Sequence, residues 1–256
     1  MKNISATIIT YNEEAHIERC LKSLEGVADE IVVVDSFSTD GTADICAKYS
    51  CTFTRRRFNG FGAQKQYALS LTTHSYVLSI DADEWLDDEL RSEIIAMKQS
   101  GFKHRIYSLN RINHYCGVPV MHCGWSPDSP IRLFDKRYAQ WNLRDVHETI
   151  VFPGTLRPNM IKGNLIHYRC NTPEEYRRKE ERYATINSQI LINEGKKAYS
   201  FTPYIKAGKA WIRMYLGRKG FLEGKAGKEI SRVAAHSAFV TYRLVKNKGQ
   251  RPTTCL

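Results

Sequence analysis

The C-terminal third of this 256-residue chain is short of acid. Residues 174–256 hold 7 Asp and Glu against 18 Lys and Arg, whereas residues 1–173 hold 20 of each, so the whole formal net charge of +11 lies in the last third. A neutral body with a basic end signals contact with an anionic surface, either nucleic acid or phospholipid. Other absences narrow the field. There is no uninterrupted apolar run of about eighteen residues, which argues against an ordinary membrane span. The opening MKNISATIIT lacks an apolar signal core and the seven cysteines are odd in number, so a reducing compartment without a disulfide framework is expected. No internal repeat or low-complexity tract is present. In HYCGVPVMHC, His114, Cys116, His122 and Cys123 are metal-ligand types at a spacing that fits no standard zinc pattern, and residues alternating about Gly117 and Pro119 suggest a hairpin instead.

What is present begins with 42% hydrophobic residues, enough to bury a real core. ATIITY is a short apolar strand. Asn12 follows where a helix N-cap belongs, with Glu13 and Glu14 in the expected first turn, and Ile17, Cys20, Leu21 and Leu24 recur at helical spacing until Gly26. EIVVVD is a fully apolar strand ending at Asp35, and Asp40-Gly41 turns the chain into a second helix. A helix is expected around Ala63–Leu71, followed by a third buried strand, SYVLSI. Strand, helix, strand, helix, strand implies an α/β fold with a mostly parallel, Rossmann-like sheet flanked by helices.

Ligands of such sheets gather beyond the carboxyl ends of the strands. Three strands end in polar or acidic groups there: Thr10-Tyr11-Asn12-Glu13, Asp35, and Asp81-Ala82-Asp83. The glycine-rich dinucleotide fingerprint is missing after the first strand, as is a Lys-bearing phosphate loop. A bound diphosphate would therefore need another positive charge, and a divalent cation on Asp81 and Asp83 would supply it, since hard oxygen ligands suit Mg²⁺ or Mn²⁺. The plainer reading, that these aspartates cap the next helix, competes with Asp87 and Asp88, which already stand there. Lys65 lies at helical spacing between apolar neighbours and is equally readable as a surface residue. Arg55, Arg56 and Arg57 read as a solvated run.

TIITYNEEAHIERCLKSL, EIVVVDSFSTDGT, AQKQYAL and VLSIDADEWL, in this order over residues 6–95, together resemble the inverting, nucleotide-sugar-dependent glycosyltransferases of family 2, built on the GT-A fold. IRLFDKRYAQWNLRDVHETI, LIHYRC and TPEEYRRKEERYA resemble a narrower bacterial branch that adds glucose in β-1,4 linkage to the inner core of lipopolysaccharide or lipooligosaccharide. The resemblance implies a GT-A catalytic domain over residues 1–172. It implies a UDP-sugar donor, with Thr10, Tyr11 and Glu13 near the base, Asp35 on the uracil or ribose, Lys65 beside the donor phosphates and sugar, and Asp81 near the ribose or sugar. It also implies that Asp83 coordinates Mg²⁺ or Mn²⁺ and that His167 joins the metal or diphosphate, although a lone His in an apolar strand is commonly a core residue.

Inverting transfer is a single displacement and needs a general base for the acceptor hydroxyl. Glu148 is the favoured base, Asp145 the second choice, and His147 would orient the base or touch the acceptor. An amphipathic strand with these residues in water is the competing reading. Trp125, Asp128 and Arg132 fit an acceptor loop, Trp offering a flat face to a sugar and Arg a fork to phosphate, with Trp125 as plain core the alternative.

Residues 173–256 are expected to form a basic helical region. Thr172-Pro173-Glu174-Glu175 opens a helix that ends at Gly195, a second follows Thr202-Pro203, and a third runs near Ile230–Val245. LGRKGFLEGKAGKE sets Lys and Arg beside Phe and Leu, as a segment on an anionic bilayer would, the alternative being a solvated lid. The implied partners are a nucleotide sugar, a lipid-linked oligosaccharide acceptor and the cytoplasmic face of the inner membrane, with no nucleic acid. Two other classes remain open on sequence: a nucleotidyltransferase, disfavoured by acids where a basic glycine-rich loop is usual, and a nucleic-acid-binding protein, which leaves the strand-end acids unexplained.

Overall fold

The computed structural model describes residues 2–143 and 148–249. The chain divides into two compact units, one of residues 1–112 and 128–167, the other of residues 113–127 and 168–256.

In the first unit, β1 (Ile4–Thr10), β2 (Glu30–Asp35), β3 (Thr52–Arg55) and β4 (Tyr76–Asp81) run parallel, with α1 (Ile17–Ser23), α2 (Thr42–Cys46) and α3 (Phe61–Ser70) between them. Burial on both faces accounts for the apolar run of β2, whose Val32, Val33 and Val34 are inaccessible to solvent, and in β1 Ile4, Ala6 and Ile8 on one face and Ser5 and Thr7 on the other are buried, whereas β3 (TFTR) at the sheet edge is partly exposed. The remaining strands are β5 (Glu84–Leu86), β6 (Ile106–Tyr115), β7 (Val118–Pro119), β8 (Ile131–Asp135), β9 (Gln140–Trp141), β10 (Ile150–Val151) and β11 (Asn159–Cys170), with α4 (Asp88–Ser100) after β5. The main sheet has the order β3-β2-β1-β4-β8-β6-β11-β5, and its second half contributes the antiparallel pairs β4–β8, β6–β8 and β5–β11. β9 and β10 form a separate hairpin.

Strand order turns around at β1, with β2 and β3 on one side and β4 on the other. At such a switch point the two flanking connections leave in opposite directions and open a crevice at the strands' carboxyl ends. Register puts Asp35 beside Thr10 and Asp81 beside Ile9 at this crevice.

One local expectation fails. Asn12 does not cap a helix: it has a left-handed backbone (φ 55°), and its Oδ1 accepts the Thr39 N–H at 2.8 Å. Its own N–H goes to Ser38 Oγ at 2.8 Å, and α1 starts only at Ile17. The Asn12 side chain is spent on joining the β1 and β2 loops, so the helix begins a turn later.

Gly163 in β11 settles where that strand crosses α4. A Cβ there would lie 2.2 Å from Leu90 N, so only glycine permits the approach. Asp87 caps α4 by accepting the Leu90 N–H at 2.8 Å, and Asn164 Nδ2 donates to its other oxygen at 2.8 Å. Three residues on from Asn164 along β11 stands His167, in register with Glu84 of β5.

The second unit holds the end of β6 and β7 as a hairpin about Cys116-Gly117, with His114 opposite Pro119. Its helices are α5 (Pro173–Asn193), α6 (Thr202–Ile212), a π-helical turn at Arg213–Gly217, a 3₁₀ turn at Gly220–Glu223, and α7 (Gly224–Gly249). The Thr172 cap of α5 forms as expected, Oγ1 accepting from Glu175 N at 3.1 Å, while Glu175 Oε2 accepts from Asn171 N at 2.7 Å, one residue before the N-cap N–H that a capping box would use. Tyr115, Val120, Cys123, Trp125, Tyr176 and Ile230 are among its buried core. The HYCGVPVMHC side chains go to separate partners: His114 stacks on Tyr168, Cys116 lies 3.9 Å from the Cys170 sulfur, and His122 bonds Glu223. No helix among the described residues is long and apolar enough to cross a membrane.

Candidate active site

Four carboxylates and three cations interlock beyond the ends of β1 and β4. Lys65 lies on the same face of α3 as the buried Ala68 and Leu69, so its side chain runs inward and only 3% of it is accessible. The surface reading of Lys65 is thereby corrected. Its ammonium lies 2.9 Å from Asp81 Oδ1 and 2.8 Å from Glu148 Oε1, above the ring of Trp141 at 4.8 Å. Strand end and later loop are thus joined by one lysine.

Arg132 on β8, equally buried, donates to Asp81 Oδ2 at 2.8 Å and to Glu84 Oε1 at 2.6 Å. Glu84, inaccessible to solvent, accepts from Arg111 Nη1 at 2.7 Å and, through Oε2, from the Asp81 backbone N–H at 3.0 Å. Arg111 also donates from Nε to Asp128 Oδ2 at 2.8 Å. Glu84 therefore clamps the Asp81-Ala82-Asp83 turn between two arginines. Burial alone would raise the Asp81 carboxyl, but the Lys65 and Arg132 charges outweigh it and hold it well below the ordinary carboxylate range. Burial opposes the Arg132 cation too, and Glu84 and Asp81 more than compensate.

Asp83, buried in the same turn, has its Oδ2 3.4 Å from His167 Nε2. Its negative charge is felt at Asp81, whose carboxyl it pushes upward. With Asp83, five carboxylates face three fixed cations, a surplus of negative charge suited to a divalent ion. The donor chemistry fits in part: one carboxylate oxygen and one imidazole nitrogen make an incomplete shell of the kind that substrate phosphates and water complete. Among the described residues no group of three or more His, Cys, Asp and Glu side chains forms a full cage.

At the neighbouring strand end Asp35 is fully buried. It accepts the Ser38 N–H at 3.0 Å and the Ser38 hydroxyl, with Arg55 Nε 3.7 Å away. Asp35 thus closes the turn that follows β2. Thr10 is buried, Tyr11 half exposed, and the Glu13 N–H donates to Thr42 Oγ1 at 2.9 Å. Arg56, expected to be solvated, is half-buried: it donates to Ala63 O at 2.8 Å and covers the ring of Tyr67.

The expected acceptor trio is divided between the two units. Asp128 and Arg132 belong to the first unit and Trp125 to the second, where it is buried against Tyr115 and Tyr176 with the Arg169 guanidinium 4.7 Å over its ring. Trp125 is core, and Arg132 turns its fork on Glu84 and Asp81. Neither offers an open face to a sugar or phosphate. Asp145 and His147 lie outside the described residues. Sequence reasoning missed Glu84, Arg111 and Trp141. A charged residue in a buried strand requires a partner, which flags Glu84 and Arg111 individually, but nothing in the sequence pairs them.

Residues 5–150 match the model of Glycosyl transferase family 2. Lipopolysaccharide core biosynthesis glycosyltransferase LpsC of Rhizobium meliloti is 32% identical over 242 residues, covering 88% of this chain and 87% of LpsC. A glycosyltransferase of Rickettsia typhi, RT0209, is 29% identical over 255 residues, covering 96% of this chain and 87% of its own. Among solved structures, S. aureus TarS (1–349) in complex with UDP-GlcNAc aligns over 98% of this chain and 92% of its own at 16% identity and a TM-score of 0.49. With more than half of its length under the family model and a relative above 30% identity along most of its length, this chain belongs to glycosyl transferase family 2.

Proposed function

We propose that the protein is a metal-dependent inverting transferase that moves glucose from UDP-glucose to an inner-core heptose of lipopolysaccharide or lipooligosaccharide, forming a β-1,4 linkage. The observation that carries this reading is the bridge from Lys65 to both Asp81 and Glu148, which joins the donor end of the sheet to a carboxylate from the later half of the unit. The similarity to LpsC supports a core-oligosaccharide acceptor.

In this reading Thr10, Tyr11, Glu13 and Asp35 receive the nucleoside, and Asp81 the ribose or sugar. Asp83 and His167 hold Mg²⁺ or Mn²⁺, which when bound offsets the charge that builds on the departing diphosphate. Glu148 is the general base, with Oε1 fixed by Lys65 and Oε2 assigned to the acceptor proton. Asp145 is its alternate and His147 an orienting group. The acceptor oxygen attacks the anomeric carbon from the face opposite the diphosphate. Its C–O bond forms as the bond to UDP breaks, and its proton passes to Glu148. Glu84, Arg111 and Arg132 keep the aspartate turn in place before substrate arrives, which avoids reorganisation during transfer. Asp128, held by Arg111, remains assigned to the acceptor side. The basic residues after 173 hold the enzyme to the cytoplasmic face of the inner membrane, where a lipid-linked acceptor would be presented.

The test is UDP release across a panel of UDP-sugars with a truncated, heptose-terminated core acceptor, Mn²⁺ present or chelated. Metal-dependent turnover highest with UDP-glucose and a β-configured product by NMR is expected. An α-configured product, or no turnover with any UDP-sugar, contradicts the reading.

A further inference from the structure

Between Gly195 and Leu222 the chain has seven Lys and Arg and no Asp or Glu. In the same stretch large apolar side chains stand in water. Phe201, Ile205, Ile212 and Leu216 are all exposed and recur at intervals of four and seven along α6 and the turn that follows, which sets them along one side. Phe221 and Leu222, at the 3₁₀ turn, are 48% and 57% exposed. Soluble surfaces scatter such residues singly, and a contiguous series marks an interaction site.

The Phe221-Leu222 tip is built, not frayed. A Cβ on Gly227 would lie 1.8 Å from the Gly220 carbonyl oxygen, and one on Gly220 would lie 2.8 Å from Cys123 Sγ, so the turn is seated on α7 and the hairpin by contacts that admit no side chain. Glu223, the first acid after the basic stretch, is drawn inward. Its Oε1 accepts the Met121 N–H at 2.9 Å and lies 2.6 Å from His122 Nδ1, leaving its side chain 12% exposed. Tyr215 stacks on Trp211 at 4.8 Å and meets Phe221 edge-on at 6.3 Å, which ties the tip to the preceding helix. The unit thus displays two apolar side chains on a braced turn and withdraws the neighbouring negative charge.

We propose that α6 and the Phe221-Leu222 turn insert into the headgroup–acyl boundary of an anionic bilayer. Lys206, Lys209 and Arg213, along one flank of the apolar row, and Arg218 and Lys219, just before the Phe221-Leu222 turn, hold the lipid phosphates. This rests on the peripheral-membrane part of the function proposed above and adds that attachment is by apolar insertion, with charge as its complement. A second copy of this chain is the disfavoured occupant, because isologous pairing would set basic stretch against basic stretch.

Flotation of the full chain with phosphatidylcholine vesicles, with and without one-third phosphatidylglycerol, tests it. The wild-type chain is expected to float with the anionic vesicles and to be released by salt. The Phe221→Ser/Leu222→Ser pair is expected to bind them at least about tenfold more weakly, since two large apolar groups lose burial, with unchanged circular dichroism. Lys209→Gln or Arg213→Gln should weaken binding about fivefold each. The Phe221→Trp variant should show a blue shift in its added indole emission on the anionic vesicles alone. If the wild-type chain ignores anionic vesicles, peripheral association itself falls. If it binds and the double variant binds equally well, or the emission of Phe221→Trp stays put, insertion is overturned while electrostatic association stands. A dimer in sedimentation velocity that the double variant abolishes, with vesicle binding intact, would assign the surface to a second copy instead.

Discussion

The two units invert the usual surface in opposite ways. The first hides charge: Lys65, Arg132, Glu84 and Asp81 are packed together at strand ends in a chain of ion pairs. The second shows hydrophobic groups: Phe201, Phe221 and Leu222 face water amid lysines and arginines. Each arrangement is costly for folding alone. Buried ion clusters repay their desolvation only when geometry is good, and exposed aromatics forgo the burial that drives folding. The lesson is that departures from minimum folding cost are local, and each points to a ligand of matching character: a polyanion with its cation for the first unit, an apolar boundary under anionic headgroups for the second.

The contrast can be broken at its strongest point by neutralising Glu148. Glu148→Gln keeps shape and one hydrogen-bond acceptor toward Lys65 but cannot take a proton, so kcat should fall by about 10²- to 10⁴-fold with KM for the donor little changed, measured by UDP release. A change confined to KM would move the base elsewhere, to Asp145 first.

Removing Arg132 tests whether the cluster is structural as well as chemical. Arg132→Ala leaves Glu84 and Asp81 short of a buried partner, and about 3–5 kcal/mol should be lost in urea unfolding. A loss below about 1 kcal/mol, the value of an exposed pair, would mean that water replaces the guanidinium and that the charges are not buried as a unit.

A pH series sharpens the same point. Because the Asp81 carboxyl is held below its ordinary value in the folded chain, it contributes stability that is present above the unfolded pKa of about 3.9 and lost as pH falls through the folded value. Asp81→Asn should therefore be less stable than the parent chain at neutral pH, and the gap should narrow as pH is lowered below about 4. A gap independent of pH would show that ionisation of Asp81 is not what stabilises the cluster.

The smallest effect is expected where the second unit folds by ordinary means. Thr172→Ala removes the α5 cap and should cost about 1 kcal/mol by thermal melting, with no effect on turnover of a soluble acceptor.

Three of the four parallel strands were legible as short, largely apolar segments, and EIVVVD and SYVLSI needed no tertiary information; β3, TFTR, is a partly exposed edge strand with no apolar run and was not read as a strand. The cap at Thr172 was equally local. Asn12 misled because the same side chain suits an N-cap and a cross-loop bond, and only the position of Thr39 decides between them. Lys65 shared its helical stripe with Ala68 and Leu69, so the inward direction was present in the spacing; its partners, 16 and 83 residues away, were not. Trp125 and Arg132 followed the same rule. Residue type suggests a chemistry, but which side chain takes up an arginine's fork or covers an indole face is set by long-range pairing.

The most direct measurement is calorimetric titration of UDP into the full chain with and without Mn²⁺, repeated for Asp83→Ala. Binding strengthened by Mn²⁺ in the parent chain and indifferent to it in Asp83→Ala is the expected result. UDP affinity that ignores Mn²⁺ in the parent chain, or that keeps its full Mn²⁺ dependence without the Asp83 carboxylate, would contradict the assignment of this strand end to the cation and diphosphate.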